Sequence, residues 1–186
     1  MNSEFIIKLS ARFSRLRRFG EKIAASRFTK KAALAAATGF GLGLSPFASG
    51  TAGALLGIPL ILCLAGAWAG SIAWQIFWCV ILTAAAVPLC DVAEKHFKQK
   101  DDRRIVADEY LTFPIGLVGL PICIPSLVMA FITNRIFDIL KPPPANWAQE
   151  IPGGTGIVAD DAISALYSLA LNHIIFSLFM TNMPPP

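Results

Sequence analysis

Four carboxylates, Asp101, Asp102, Asp108 and Glu109, fall within nine residues, between two long apolar stretches, with only Arg103 and Arg104 for company. Charges beside hydrocarbon are costly unless they are paired or hold a metal. On a helix, Asp101 and Asp108 are about two turns apart and share a face, with Glu109 beside them. Oxygen ligands so gathered are a candidate site for a hard divalent cation. Two further acidic points stand at the edges of apolar runs. One is Asp138, within Arg135-Ile-Phe-Asp138-Ile-Leu-Lys141. The other is Asp160-Asp161, which follows Pro152-Gly153-Gly154-Thr155-Gly156. As solvated helix ends, or as caps in the case of Asp160 and Asp161, these acids need no ligand. The alternative is a cation shared by carboxylates from all three points, with basic groups and backbone N–H donors left for a phosphate.

Glycine-rich segments stand near these acids. Residues 32–53 carry Gly39, Gly41, Gly43, Gly50 and Gly53 together with Ser45 and Thr51. Glycine lets backbone N–H groups approach an oxyanion, and the hydroxyls add donors. Close helix packing in a membrane uses the same small residues, so both readings stand.

The elements that must position these groups follow from composition. The 186 residues are 55% hydrophobic and only 15% charged, the balance of an integral membrane protein. Cys63, Cys79, Cys90 and Cys123 lie in apolar runs without metal-ligand spacing and read as buried, reduced thiols. The net charge of +4 is uneven, since residues 1–31 hold nine of the sixteen Lys and Arg. So apolar a chain is a poor partner for nucleic acid and a better one for anionic lipid.

Residues 4–27 place Phe5, Leu9, Phe13, Leu16 and Ile23 at helical spacing between basic residues. This predicts a basic amphipathic arm, residues 1–31, suited to an anionic membrane surface or to fixing topology. The remainder, 32–186, reads as one helical domain. Residues 54–90 carry no charge and are too many for one crossing, so they predict two helices with a turn near Gly66–Ser71. Trp68, Trp74 and Trp78 are expected there as interfacial aromatics. Residues 110–133 are also uncharged but broken by Pro114, Gly116, Gly119, Pro121 and Pro125. A single crossing would split Asp108 from Asp138. The positive-inside rule instead keeps Arg103, Arg104, Arg135 and Lys141 together, which predicts a re-entrant hairpin with both acidic clusters at the cytoplasmic face. Residues 162–180 make a last helix, apolar apart from Asn172 and His173. The fold class is therefore all-α, an array of membrane and re-entrant helices with glycine-rich loops around a central acidic site.

Three blocks resemble one family. They are Gly39-Phe-Gly-Leu-Gly-Leu-Ser-Pro46 with Gly50-Thr-Ala-Gly53; Asp101-x-x-x-Ile105-Val106-x-Asp108-Glu109; and Arg135-Ile-Phe-Asp138-Ile-Leu-Lys141-Pro142-x-Pro144 running to Gly153-Gly154-x-Gly156-Ile157-x-x-Asp160-Asp161. In this order and over residues 38–167 the chain resembles the phosphatidylglycerophosphatase A family of bacterial membrane phosphatases. Thr112 and Pro143 depart from residues common in that family, Gly and Trp. The resemblance implies an enzyme of the bacterial inner membrane, multi-pass, with its site facing the cytoplasm. It would hydrolyse phosphatidylglycerophosphate to phosphatidylglycerol and phosphate with Mg²⁺ as cofactor.

On that basis Asp101, Asp108, Glu109, Asp138, Asp160 and Asp161 are expected to ligate one or two Mg²⁺, and Asp108, Glu109, Asp138, Lys141 and Asp161 to carry the chemistry. Gly41, Ser45, Thr51, Arg135, Lys141, Gly153, Gly154 and Gly156 are expected at the substrate phosphate. Attack by a metal-activated water and a phospho-aspartate route both stay open. No Cys precedes an Arg by six positions, there is no Asp-x-Asp pair, and His96 and His173 read as incidental. A second reading also stays open: a small transporter or cation-binding protein using the clustered carboxylates as an ion path.

Overall fold

The computed structural model describes residues 27–46 and 48–179. Most of the basic arm therefore lies outside the described residues. The described residues are helical or in turns, with no strand among them. The main helices are α1 (Arg27–Ala37), α2 (Ser49–Cys63), α4 (Ile72–Phe97), α6 (Ile124–Leu140) and α8 (Gly154–Phe179). Short helices α3 (Ala65–Trp68), α5 (Ala107–Thr112) and α7 (Ala145–Ala148) connect them. Helix α4, and α8 as far as Leu178, are long and apolar enough to cross a membrane.

Charge decides how these helices stack. The C-terminal end of α4 carries Asp91, Glu94 and Lys95, and the N-terminal half of α8 carries Asp160 and Asp161. The two run antiparallel, because the Gly154 N–H at the start of α8 donates to Asp91 Oδ1 at 2.6 Å. Helix α6 is also antiparallel to α8. Lys141 pairs with Asp160, Ser164 Oγ donates to the Phe137 carbonyl at 3.3 Å, and Thr133 meets Ser168 at 2.5 Å. Small residues along this seam, Ala130, Ser164, Ala165 and Ser168, let the backbones approach closely, as between membrane helices. The charged ends of α4, α6 and α8 and the loop 98–106 thus gather at one end of the bundle.

The opposite end holds the bend of a hairpin. Helix α5 runs into a 3₁₀ turn, Phe113–Leu117. The chain reverses through Val118–Cys123 and returns along α6. The reversal frees backbone N–H and C=O groups, which need other partners. Four side chains from three helices supply them. Asn172 Nδ2 donates to the Gly116 carbonyl at 2.8 Å and Trp68 Nε1 to that of Leu117 at 3.4 Å. His173 Nε2 bonds the Val118 carbonyl at 2.8 Å, and the Gly119 N–H donates to Gln75 Oε1 at 2.7 Å. Gln75 Nε2 in turn donates to the Trp68 carbonyl at 2.8 Å. The lone polar residues of the apolar runs are thus the caps of the bend.

Several expectations are corrected. Trp68 is buried, with its ring nitrogen spent on Leu117, so it is no interfacial aromatic; Trp74 is exposed and stacks on Phe77. His173 has a structural task rather than an incidental place. All four cysteines are free, but Cys63 is exposed at the end of α2 rather than buried. Asp101 and Asp108 do not share a helix, because α5 begins only at Ala107. Asp102 Oδ1 accepts the Arg104 N–H at 3.0 Å, and such local bonding competes with helix formation.

Replacing the bend's caps should cost folding free energy. Gln75→Leu strands the Gly119 N–H, and Asn172→Leu strands the Gly116 carbonyl. Each is expected to destabilise by about 1–3 kcal/mol, read as a lowered unfolding temperature of the purified protein in detergent.

Candidate active site

At the charged end lies a pocket of about 280 Å³ lined by Ser49, Gly50, Asp101, Arg103, Ile105, Asp108, Glu109, Asp138, Lys141 and Asp161. Five elements build it. The N-terminus of α2 brings Ser49 and Gly50, the loop brings Asp101 and Arg103, and α5 brings Asp108 and Glu109. The C-terminal end of α6 brings Asp138 and Lys141, and the second turn of α8 brings Asp161. The hairpin bend makes this possible, since it returns α6 to the level at which α5 began.

Glycine permits the closest approach. A Cβ at Gly50 would collide with Glu109 Oε1, and one at Gly53 with Glu109 Oε2. Helix α2 can therefore lie directly against the Glu109 carboxylate. These glycines serve packing around an acid.

The acids divide by partner. Asp160 is taken by Lys141 Nζ at 2.5 Å and is not part of the pocket wall. Asp138 Oδ2 binds Arg135 Nη1 at 2.6 Å, and the same nitrogen reaches Glu109 Oε1 at 3.4 Å. Asp101 Oδ2 accepts from Gln149 Nε2 at 2.8 Å. Asp102 holds Arg104 through two bonds of 2.7 Å. In contrast, Asp108 Oδ1 and Glu109 Oε2 are buried with no hydrogen-bond partner. Two unpartnered buried carboxylate oxygens on adjacent residues are unfavourable unless a proton or a cation takes them. Protonation is favoured in the protein alone. Burial, then the charges of Glu109 and Asp101, raise the Asp108 carboxyl well above its ordinary range. Burial lifts Glu109 to about 8, with Arg135 opposing the rise and Asp138 adding to it. Burial acts to lower Lys141, but its hydrogen bond to Asp160 outweighs this and raises it, so the ammonium stays charged.

Among the described residues no group of three or more Asp, Glu, His or Cys side chains is placed to hold a metal ion as it stands. Of the six carboxylates expected as ligands, five line the pocket, while Asp160 is paired with Lys141 and lies outside the wall. Asp101, Asp108, Glu109, Asp138 and Asp161 are the carboxylates of the wall, and oxygen donors of this kind are the chemistry that Mg²⁺ takes. That ion takes one or two protein carboxylates, keeps several waters and completes its shell with substrate phosphate.

The expected phosphate cradle is corrected too. Gly154 and Gly156 lie in the first turn of α8. The Gly154 N–H is spent on Asp91 and that of Gly156 on the Gly153 carbonyl. A Cβ on Gly153 would meet Asp91. This segment caps α8 with a carboxylate borrowed from α4. Gly41, Ser45 and Thr51 are not in the pocket wall, and neither is Arg135, which stands behind Glu109 and Asp138. Ser49, Gly50 and Arg103 take their place. Gly50 already stood in the first glycine block, but nothing in residue type separated Ser49 from Ser45 or Arg103 from Arg104.

Gly53→Ala should push Glu109 off α2 and cost about 1–3 kcal/mol, as overpacking does. Gly66→Ala meets nothing within 4 Å and should leave stability unchanged. Thermal unfolding of the two variants side by side checks both.

Comparison with known proteins finds relatives over most of the chain. A family model described as Phosphatidylglycerophosphatase A matches residues 35–176, a span that includes every pocket residue. Phosphatidylglycerophosphatase A of Escherichia coli is 33% identical over 143 residues, covering 75% of this chain and 80% of that protein. The protein of the same name from Haemophilus influenzae is 33% identical over 139 residues, 72% of this chain and 82% of its own. A Bacteroides thetaiotaomicron protein, provisionally named a phosphatidylinositol-3-phosphatase, is 34% identical over 151 residues, 72% of this chain and 87% of its own. No solved structure gives a significant match. With the family model spanning most of its length, the chain belongs to the phosphatidylglycerophosphatase A family.

Proposed function

We propose that the acidic pocket is the active site of a Mg²⁺-dependent phosphatidylglycerophosphate phosphatase at the cytoplasmic face of a bacterial inner membrane. Family membership supports the reaction, hydrolysis of the terminal phosphomonoester to phosphatidylglycerol and phosphate. The observation that carries the site is the pair of buried, unpartnered oxygens, Asp108 Oδ1 and Glu109 Oε2, in one wall with Asp138, Asp161 and Lys141. Separate ion paths would need acids spread along the helices, whereas these are gathered at one end, which favours an enzyme over a transporter.

Each residue then has a task. Asp108 and Glu109, helped by Asp138 and Asp161, would hold Mg²⁺. When bound, that ion supplies charge neutralisation at the phosphoryl oxygens and orients the reacting groups. Lys141 contributes a fixed positive charge toward the phosphate, kept in place by Asp160. Arg135 holds Glu109 and Asp138 from behind and limits their mutual repulsion. The two α2 N–H groups nearest the pocket, at Ser49 and Gly50, precede the first backbone bond of that helix and are available to a phosphate oxygen. The location at helix ends suits a diacyl substrate, since removing it from the bilayer would cost about 0.8 kcal/mol per methylene. Basic residues at the same end, from Lys95 through Lys141, support the cytoplasmic orientation.

Purified protein should release phosphate from short-chain phosphatidylglycerophosphate in the presence of Mg²⁺ and stop when the ion is chelated. A panel including phosphatidylinositol 3-phosphate tests head-group choice. Asp108→Asn should abolish release, by a factor of about 100 or more if it removes a charge held at the reacting centre. Release that persists without divalent ion, or in the Asn variant, would overturn the assignment.

The raised carboxyls also set a pH dependence. Glu109 moves from 4.5 to about 8 on folding. Its folded carboxyl is therefore stabilising as the acid below pH 4.5, and that contribution is lost as pH rises through about 8. The metal-free protein should unfold at lower temperature at pH 8 than at pH 6, and Mg²⁺ should restore it more at pH 8 than at pH 6.

A further inference from the structure

Adjacent arginines in the polar loop meet opposite fates. Arg104 is anchored by the Asp102 carboxylate and lies 3.9 Å over the Phe97 ring. Arg103 lines the pocket, is exposed, and makes no hydrogen bond or ion pair among the described residues. The only other cation in the pocket wall, Lys141, is engaged by Asp160. Five carboxylates line the wall, Asp101, Asp108, Glu109, Asp138 and Asp161, against these two cations. A single phosphomonoester can be accommodated by Lys141 and a cation on the carboxylates. A ligand with a second phosphate needs a second cation, and exposed Arg103 is the one in the wall that no side chain among the described residues engages.

We propose that Arg103 is a specificity-determining residue that binds the phosphodiester of the substrate, one glycerol unit from the phosphomonoester that is hydrolysed. The inference rests on the phosphatase reading above and deepens it. The phosphomonoester enters the carboxylate-lined interior. The phosphodiester, joined to the diacylglycerol, stays at the mouth, where the guanidinium offers paired donors to its two free oxygens. A solvated arginine that only adds surface charge would attract every anion alike. A phosphodiester subsite discriminates between anions that carry this group and anions that do not.

The test uses full-length protein in uncharged detergent with Mg²⁺ and short-chain phosphatidylglycerophosphate. Glycerophosphoglycerol, a diester with no monoester, and inorganic phosphate serve as inhibitors. Arg103→Gln should raise KM by about tenfold or more, as loss of a charged hydrogen bond does, with kcat little changed. It should weaken inhibition by glycerophosphoglycerol by a similar factor and leave inhibition by inorganic phosphate as it was. Arg103→Lys should recover part of the effect, since it keeps the charge but not the paired donors. The inference is overturned by an unchanged KM, by equal weakening of both inhibitors, or by a diester that does not inhibit the unmodified protein. Absence of any phosphate release by the unmodified protein overturns the phosphatase reading itself, so the two failures are distinguishable.

Discussion

Everything at the charged end depends on a bend at the other. A backbone that reverses inside an apolar layer frees N–H and C=O groups that nothing in hydrocarbon can satisfy. Here the Gly116–Gly119 segment has those groups taken by Asn172, Trp68, His173 and Gln75. Once the reversal is satisfied, the apolar stretch from Tyr110 to Thr133 need not cross. Helix α6 comes back to where α5 began, and Arg135 and Asp138 reach Glu109. Without the bend these groups would lie a bilayer apart.

The second constraint is the cost of gathering carboxylates where few waters reach them. The chain meets it by giving different acids different work. Asp91 caps α8 and Asp102 anchors Arg104. Asp160 holds Lys141, while Asp138 shares Arg135 with Glu109. These pairings stiffen the surroundings and leave Asp108 Oδ1 and Glu109 Oε2 buried without hydrogen-bond partners. On the reading proposed above, these carboxyls would exchange their protons for a hard cation. Glycines at 50 and 53 contribute by bringing α2 within contact of the Glu109 carboxylate, which keeps its far oxygen dry.

Much of this was legible in the residues alone. The absence of charge over 54–90 and 110–133 required apolar helices, because twenty or more uncharged residues have few other stable environments. The Pro and Gly breaks, together with basic residues on both sides of 110–133, required a return rather than a crossing. The grouping of Asp108, Glu109, Asp138 and Lys141 follows from that return, and the packing of α8 adds Asp161. All of these depend on local composition and on the length of chain between charges, quantities that a sequence carries directly.

Other assignments depended on which partner each group found first. Gly154 and Gly156 looked like a phosphate loop, but an aspartate sixty-three residues before Gly154 in the chain claims its N–H. Asp160 and Asp161 are neighbours of the same type, yet one is locked to Lys141 and the other lines the pocket, because successive helical residues point about 100° apart. Arg103 and Arg104 part in the same way once Asp102 takes the second. Gln75 and His173 had no visible purpose until the bend brought bare carbonyls and N–H groups beside them. Sequence thus determined which groups had to stand at the charged end of a helical membrane bundle. Only the tertiary structure decided which of them remained unpaired, since pairing is set by distances between segments that no spacing along the chain encodes.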